Sequence, residues 1–387
     1  MSTKDYIYFD NAATSWPKPD AVINAMNSYM REIGASPGRS GHTMAVDASR
    51  IVFETREAVA DFFNVPDSAN VVFTASATHA LNIAIKGILN EGDHVIVSAL
   101  EHNSVMRPLR QLEEERQISV SILSAGPDGS FDPDKLYKTF RPNTRLAVIN
   151  HGSNVTGSIA PLAAIGALCR EHSVPLLVDT AQTAGAVPLN MVRDNIDLLA
   201  FSGHKALLGP QGTGGLCINS DLEIRPLLTG GSGSQSEHDQ HPNFMPDRLE
   251  AGTQNAVGLA GLLAGLNYLA NFGLKQIRAT EQALVTRLLT GLSEIKSVNL
   301  YGPGPEQMRL PVISFNIEGK QPSQVGLELD QQYGIMCRIG LHCAPNAHRA
   351  VGTFPAGTVR LSPGYFNTPE QVDKTLEAVR KIAERKS

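Results

Sequence analysis

PLLVDTAQ (175–182) is followed, one connection later, by LLAFSGHK (198–205). Each stretch begins as a short apolar run. Each ends on groups that carry charge or hydroxyls: Asp179 in the first, Ser202, His204 and Lys205 in the second. A run that is apolar at every position fits a strand covered on both faces, the usual state of strands in parallel sheets. VVFT (71–74), HVIVSAL (94–100), RLAVIN (145–150) and GGLCIN (214–219) read the same way. Helical patterns lie between or beside them. Ile51, Val52, Val59, Phe62 and Phe63 share a face over 47–65, and Leu81, Ala84, Ile85, Ile88 and Leu89 share another. The alternation predicts an α/β fold around a largely parallel sheet.

Beyond about residue 262 the texture changes. A long helical stretch (264–297) leads to LPVISFNI (310–317), a helix near 322–333 and strands near 335–339 and 358–362. Thr368-Pro369-Glu370-Gln371 is a helix start, with a cap, a first-turn proline and a capping-box glutamine. Val372, Leu376, Val379 and Ile382 then form the apolar face. This is a smaller α+β unit. We expect a large unit over 18–262 and a small one made of 1–17 and 263–387. Residues 229–247, polar and Gly-rich, read as a long loop, and such loops are usually functional or mobile.

The chain of 387 residues has a net charge of −5, which offers no basic footprint for nucleic acid. MSTKDYIYFD at the start has no apolar run and does not read as a signal peptide. No uncharged apolar stretch reaches the roughly 18 residues of a membrane span. Four scattered cysteines argue against a disulfide scaffold and for a reducing cytoplasm.

In parallel α/β sheets ligands bind at the carboxyl ends of strands, where Asp179 and Lys205 fall. The plain reading is that the two pair with each other. The sharper one is a pyridoxal phosphate site, with a lysine that forms a Schiff base and an aspartate that keeps the pyridine nitrogen protonated. ASATH (75–79) follows a strand and opens a helix, so the N–H groups near Ala77 and Thr78 suit a phosphate. Gln182 is placed to reach the cofactor's phenolic oxygen, His102 to stack on its ring, and Ser202 and His204 to add phosphate contacts. Glu101 and Asn103 read as helix caps.

RIGLHCAP (338–345) puts Cys343 in a polar turn bounded by proline. Such a setting favours a nucleophile, activated by His342 or His102 as base and by the positive field of Arg338. Cys169 and Cys217 read as core. So does Cys337, with a relay to Cys343 as its alternative. His342, Cys343 and His348 lack the fourth ligand a zinc site wants, so no metal is expected. His42, in SGHT, reads equally as a loop residue or a substrate contact.

FDNAAT (9–14), ALEHN (99–103), SNVTG (153–157), VDTAQ (178–182), SGHK (202–205), EAGTQN (250–255), RIGLHCA (338–344) and VRLSPGYFNT (359–368) occur in that order. Together they resemble the cysteine desulfurases and selenocysteine lyases of the class V aminotransferase group, fold-type I pyridoxal-phosphate enzymes. The resemblance runs from residue 8 past 368 and is nearest to the group II desulfurases. It implies a mainly parallel seven-stranded sheet in the large domain. It implies that Lys205 carries the cofactor, Asp179 its nitrogen, Gln182 its phenolic oxygen and His102 its ring. Thr78, Ser202 and His204 match phosphate ligands. Thr253 matches a phosphate contact lent across a homodimer. Asn154 and Arg360 match the substrate-carboxylate site, and Cys343 the persulfide-forming nucleophile. The implied substrate is L-cysteine, with L-selenocysteine a further candidate, and the persulfide passes to a protein acceptor. Alternatives are a selenocysteine lyase, an aminotransferase or an α,β-lyase on the same cofactor; a scaffold or sulfur-relay subunit is a third. Leu341 stands where a first histidine is usual, His79 where the phosphate loop is usually acidic, and Gln254 where proline is common.

Overall fold

The computed structural model describes residues 6–38, 40–219 and 221–385. Strand β1 (Ile7–Tyr8) and helices α1 (Asp20–Ser28) and α2 (Thr43–Phe63) open the chain. Seven strands then build the main sheet: β2 (Val71–Thr74), β3 (His94–Ser98), β4 (Ser119–Leu123), β5 (Thr144–Asn150), β6 (Leu176–Asp179), β7 (Leu198–Ser202) and β8 (Gly214–Ile218). Their order is β2-β8-β7-β6-β5-β3-β4. The β4–β3, β3–β5, β5–β6 and β6–β7 pairings are parallel; β8 runs antiparallel to both β7 and β2. Helices α3 (Ala77–Ile88), α4 (Asn103–Arg116), α5 (Pro133–Tyr137) and α6 (Leu162–Glu171) supply the crossovers.

The central strands are apolar throughout because both faces are covered. On β5, Ala147 and Ile149 join the core beneath α2, α6 and the later helix α7 (Ala256–Phe272), whereas Leu146 and Val148 join the core beneath α3 and α4. Strand β4 escapes the sequence pattern. It is an edge strand; Ser119, Val120 and Ser121 are only half-buried and Ile122 is exposed.

The expected long helix over 264–297 is two helices, and the first starts earlier. α7 ends at Gly273, whose φ of +82° a residue with a Cβ adopts only with strain, and α8 (Leu274–Ser293) leaves at 84° to it. The bend moves the chain from the main sheet to the second core. There β9 (Val298–Tyr301), β10 (Ile313–Ile317), β11 (Ile335–Met336), β12 (Arg338–Gly340) and β13 (Thr358–Leu361) pack against α8, α9 (Pro322–Tyr333) and α11 (Pro369–Glu384). The small sheet is antiparallel, in the order β12-β13-β10-β9. A short helix α10 (Pro345–Ala350) follows β12. Strand β1 pairs with β11, so the start of the chain lies on this second core. Thr368 and Gln371 form the capping box of α11. Residues 229–247 hold neither helix nor strand. Among the described residues no single helix is long and apolar enough to cross a membrane.

A buried ion pair fixes the segment after that loop. Arg56 on α2 donates to both carboxylate oxygens of Glu250, at 2.8 and 3.0 Å, and to the carbonyl of Val71; the N–H of Phe73 also donates to Glu250, at 2.6 Å. Removing one partner strands the other charge. Glu250→Ala therefore costs roughly 3–5 kcal/mol, seen as a lower midpoint of equilibrium unfolding in urea. An unchanged midpoint contradicts this.

Candidate active site

The strand ends converge. Asn150 closes β5, Asp179 closes β6 and Ser202 closes β7, all at one edge of the sheet, with His102 just beyond β3. They line a cavity of about 140 Å³ with Ala77, Thr78, Ser104, Asn154, Gln182, His204 and Lys205. Of the residues singled out from the sequence, nine therefore share one wall.

Lys205 and Asp179 are the charged pair of this cavity, and among the described residues no direct ion pair joins them. Burial pushes the Lys205 ammonium down to about 8. Asp179 opposes that shift, and Arg360 and Arg338 add to it. Burial raises Asp179, whose Oδ1 accepts only from the Ala181 N–H at 2.9 Å. A lysine deep in the protein without a bonded carboxylate is an amine suited to carbonyl chemistry and to proton transfer.

A phosphate-sized corner lies at the start of α3. Ser76 caps the helix and the Ala77 N–H donates to Ser202 Oγ at 3.1 Å. Thr78 Oγ1 lies 2.7 Å from Ser104 Oγ, which lies 2.8 Å from His102 Nδ1. His204 Nδ1 is buried without a partner, and burial, with Lys205 and Lys18 close by, holds this ring down to about 4. Gln182 donates to the Ala12 carbonyl at 3.0 Å. A helix N-terminus, hydroxyls and an unpartnered imidazole at one end, with a buried carboxylate at the other, fit a phosphorylated pyridine.

Glu101 does not cap a helix; His102 does, its Nδ1 accepting from the Ser104 N–H at 3.1 Å. The Glu101 carboxyl turns inward instead. It accepts from the Ser98 hydroxyl at 2.6 Å and the Asn150 N–H at 2.7 Å, and burial raises it to about 8. Ser104 and Asn150 were also outside the sequence reading. The signal for Ser104 is its place in the first turn of α4, two residues after His102.

The second unit brings the cysteine loop to this cavity. Cys343 is exposed, and its carbonyl accepts from the Asn103 N–H at 2.8 Å, directly beside His102. Arg338 Nη2 lies 3.6 Å from Cys343 Sγ. Both His342 (φ +49°) and Cys343 (φ +58°) occupy the left-handed region, which costs about 1–2 kcal/mol per residue with a side chain. Three anchors hold that backbone. Asn154 Nδ2 donates to the His342 carbonyl at 2.7 Å. His342 Nδ1 is 3.2 Å from His348 Nε2, and His348 Nδ1 is 2.7 Å from Thr353 Oγ1. His342 Nε2 lies 3.5 Å from the Arg338 carbonyl. With both ring nitrogens engaged and the ring 3% exposed, His342 is an anchor rather than the base read from the sequence. Cys169 and Cys217 are buried; Cys337 is half-buried, and burial pushes its thiol up to about 12.

Arg338 and Arg360 face each other across β12 and β13. Like charges in register repel, so the pair needs an anion. Asp10 supplies one, accepting from Arg360 Nη2 at 2.6 Å. Arg360 is fully buried, donates from Nη1 to the Asn154 carbonyl at 3.2 Å, and keeps Nε without a partner. That vacancy beside Asn154 suits a carboxylate.

Two candidates stand apart. Thr253 is exposed in a different cavity with Phe73, His79, Leu227 and Leu228. His42 is exposed and caps α2, its Nδ1 accepting from the Ala45 N–H at 3.3 Å. Among the described residues no group of histidine, cysteine and carboxylate side chains is arranged to hold a metal.

A doubly wound sheet with a half-buried lysine at one strand's carboxyl end, unpaired among the described residues, a buried aspartate at its neighbour's and a helix N-terminus beside both is the arrangement of a fold-type I lysine enzyme. The class-V aminotransferase family model matches residues 7–375, so the chain belongs to that family. Its relatives place it on the cysteine desulfurase side. A cysteine desulfurase of Klebsiella pneumoniae is 35% identical over 97% of this chain and 93% of its own. A probable cysteine desulfurase of Methanothermobacter thermautotrophicus is 34% identical over 98% and 95%. The apo structure of a cysteine desulfurase from Thermococcus onnurineus superposes with a TM-score of 0.91, at 31% identity over 98% of this chain and 95% of that one.

The histidine pair makes the cysteine loop pH-sensitive. Burial holds His348 near 4 in the folded loop against an ordinary 6.5, so its anchoring of the loop is fully present above about 6.5 and weakens as pH falls toward 4. Amide exchange at Ala344, corrected for its intrinsic pH dependence, accelerates over that window. His348→Ala accelerates it about tenfold at neutral pH, the worth of one buried hydrogen bond. Equal protection in both proteins contradicts the anchoring role.

Proposed function

We propose that the chain is a pyridoxal-phosphate-dependent cysteine desulfurase, converting L-cysteine to L-alanine and leaving a persulfide on Cys343. The observation that carries the reading is the junction of the Lys205 cavity with the Cys343 loop, closed by the Cys343–Asn103 hydrogen bond and flanked by the Arg338–Arg360 pair. In this reading the unit 18–262 holds the cofactor, and the unit formed by 1–17 and 263–387 carries the cysteine.

Bound in the cavity, pyridoxal phosphate supplies a sink for the electrons released when the substrate's α-proton leaves. The chain does the rest. Thr78, Ser202, His204 and the first N–H groups of α3, around Ala77, hold the phosphate. Asp179 holds the proton of the pyridine nitrogen, Gln182 contacts the phenolic oxygen, and His102 covers the ring. Lys205 would hold the cofactor and would be the base for the substrate's α-proton; the free amine, lowered to about 8 by desolvation, has a useful neutral fraction at physiological pH. Arg360, through its fork, and Asn154 orient the substrate carboxylate. Cys343 attacks the substrate sulfur: a sulfur–sulfur bond forms, the carbon–sulfur bond breaks, and the departing carbon takes a proton on its way to alanine. Arg338 donates to the sulfur. Thr253, which lines a different cavity from Lys205, serves the phosphate of a second copy, which makes the working unit a homodimer, and His42 is a further candidate substrate contact. An exposed persulfide must be delivered, so a thiol-bearing protein acceptor follows; a reducing compartment, the cytoplasm in the first instance, suits both thiols.

The test is alanine and sulfide release from L-cysteine with an added thiol reductant. Lys205→Ala abolishes both products and the cofactor's visible band. Cys343→Ala keeps the band and lowers both products about a hundredfold or more, as loss of a nucleophile does. Undiminished turnover in Cys343→Ala contradicts the reading and favours an aminotransferase or α,β-lyase.

A further inference from the structure

A groove runs from the cysteine loop along the outside of the molecule, between α4 and α10. Asn103, Arg107 and Arg110 project from one face of α4, at i, i+4 and i+7; Asn346 and Arg349 project from α10 opposite, with Met106 and Pro345 between them. Three of these seven lining residues are arginines and none is acidic. All three arginines are exposed. Arg110 is paired with Glu113. Arg349 stacks over Phe354 at 4.1 Å and donates to Asn346 at 3.0 Å, so its guanidinium is held rather than free to sweep solvent. Among the described residues neither Arg107 nor Arg349 has an acidic partner. The chain as a whole is acidic, at −5, so a one-sign positive strip here is a local arrangement and not the average of the surface.

The groove begins next to the cysteine loop. The Asn103 N–H that starts α4 binds the Cys343 carbonyl, and α10 begins two residues after Cys343. We propose that this groove is the docking site of the sulfur acceptor, and that the acceptor presents an acidic, extended segment beside its thiol. The proposal rests on the persulfide reading of Cys343 given above. A segment fits better than a small anionic thiol. From Asn103 to Arg110 the helix advances about 10 Å, so a small molecule at the cysteine meets one guanidinium and leaves the others unused. Once docked, the acceptor thiolate attacks the outer sulfur of the Cys343 persulfide. A new sulfur–sulfur bond forms on the acceptor, the bond to Cys343 breaks, and Cys343 leaves as a thiolate. No outside oxidant or reductant enters. The arginines act on encounter and register, raising the on-rate and aligning the thiol, and take no part in forming the persulfide.

The test uses the holoenzyme and two fluorescent peptides, one with aspartate and glutamate around a central serine, the other with lysine in those places. Anisotropy reads binding, and cysteine-for-serine versions read sulfur transfer. The holoenzyme binds the acidic peptide, weakly holds the basic one, and loses the acidic one as salt rises. Arg107→Ala with Arg349→Ala weakens acidic-peptide binding and slows transfer to it by about tenfold, whereas the double lysine variant recovers most of the binding. Alanine release with a small reductant stays at the wild-type level in both variants. Equal binding of the two peptides, or unchanged binding in the alanine variant, overturns the proposal. Tighter binding of a single-stranded DNA oligonucleotide than of the acidic peptide also overturns it, in favour of a general polyanion site. If wild type releases no alanine, the desulfurase reading fails and the acceptor assignment falls with it; the binding arm still reports whether the groove selects acidic peptide.

Discussion

Arg360 has no exposure to solvent, and the arrangement of the site follows from how its charge is accommodated. A buried guanidinium needs most of its donors met. Asp10, from the start of the chain, takes one, and the Asn154 carbonyl, from the loop after β5, takes another. Those bonds tie the small antiparallel sheet to the edge of the large parallel one. Asn154 then reaches on to the His342 carbonyl, so the same clasp sets the cysteine loop. The donor left over, Nε, is buried and has no hydrogen-bond partner among the described residues. In the proposed function, binding the substrate carboxylate completes the arginine's coordination.

The rest of the site holds charges and strain that a purely structural core would avoid. Lys205 is half-buried near Asp179 with no ion pair between them among the described residues, and desolvation weakens its hold on a proton. Asp179 has one hydrogen bond and a raised proton affinity. Two arginines stand in register on adjacent strands. Two consecutive residues of the cysteine loop adopt left-handed backbone, stabilised by a neutral histidine pair. Each feature is costly alone; Asp10 offsets the arginine pair and the histidine pair offsets the loop strain. Costs of this kind collect where function needs a prepared environment.

Much of this was legible in the sequence because it sits at strand ends. PLLVDTAQ and LLAFSGHK announce buried strands through unbroken apolar runs, and their last residues fall at the sheet edge by geometry alone. Edge strand β4 was not legible: its serine-interrupted pattern is half-solvated and resembles a loop. The break at Gly273 was hidden inside a stretch that is helical by composition on both sides. The start of helix α7 is hard to see for a similar reason, since Gly258 and Gly261 break up the helical pattern of its first two turns. Contacts across the two units were the least visible. Nothing local in the sequence says that His348 will meet His342, that Asp10 will meet Arg360, or that Glu101 will turn inward instead of capping α4. Those pairings depend on how the units come together, which local periodicity does not encode.

The most direct test of the account is to find where the sulfur goes. Holoenzyme is mixed with one equivalent of L-cysteine without reductant, alkylated and mapped by peptide mass spectrometry. The account predicts that the peptide carrying Cys343 gains the mass of one sulfur atom, that Cys169, Cys217 and Cys337 do not, and that the gain is absent in Lys205→Ala. Extra sulfur on Cys337 first, or none on Cys343 while alanine still accumulates, would contradict it.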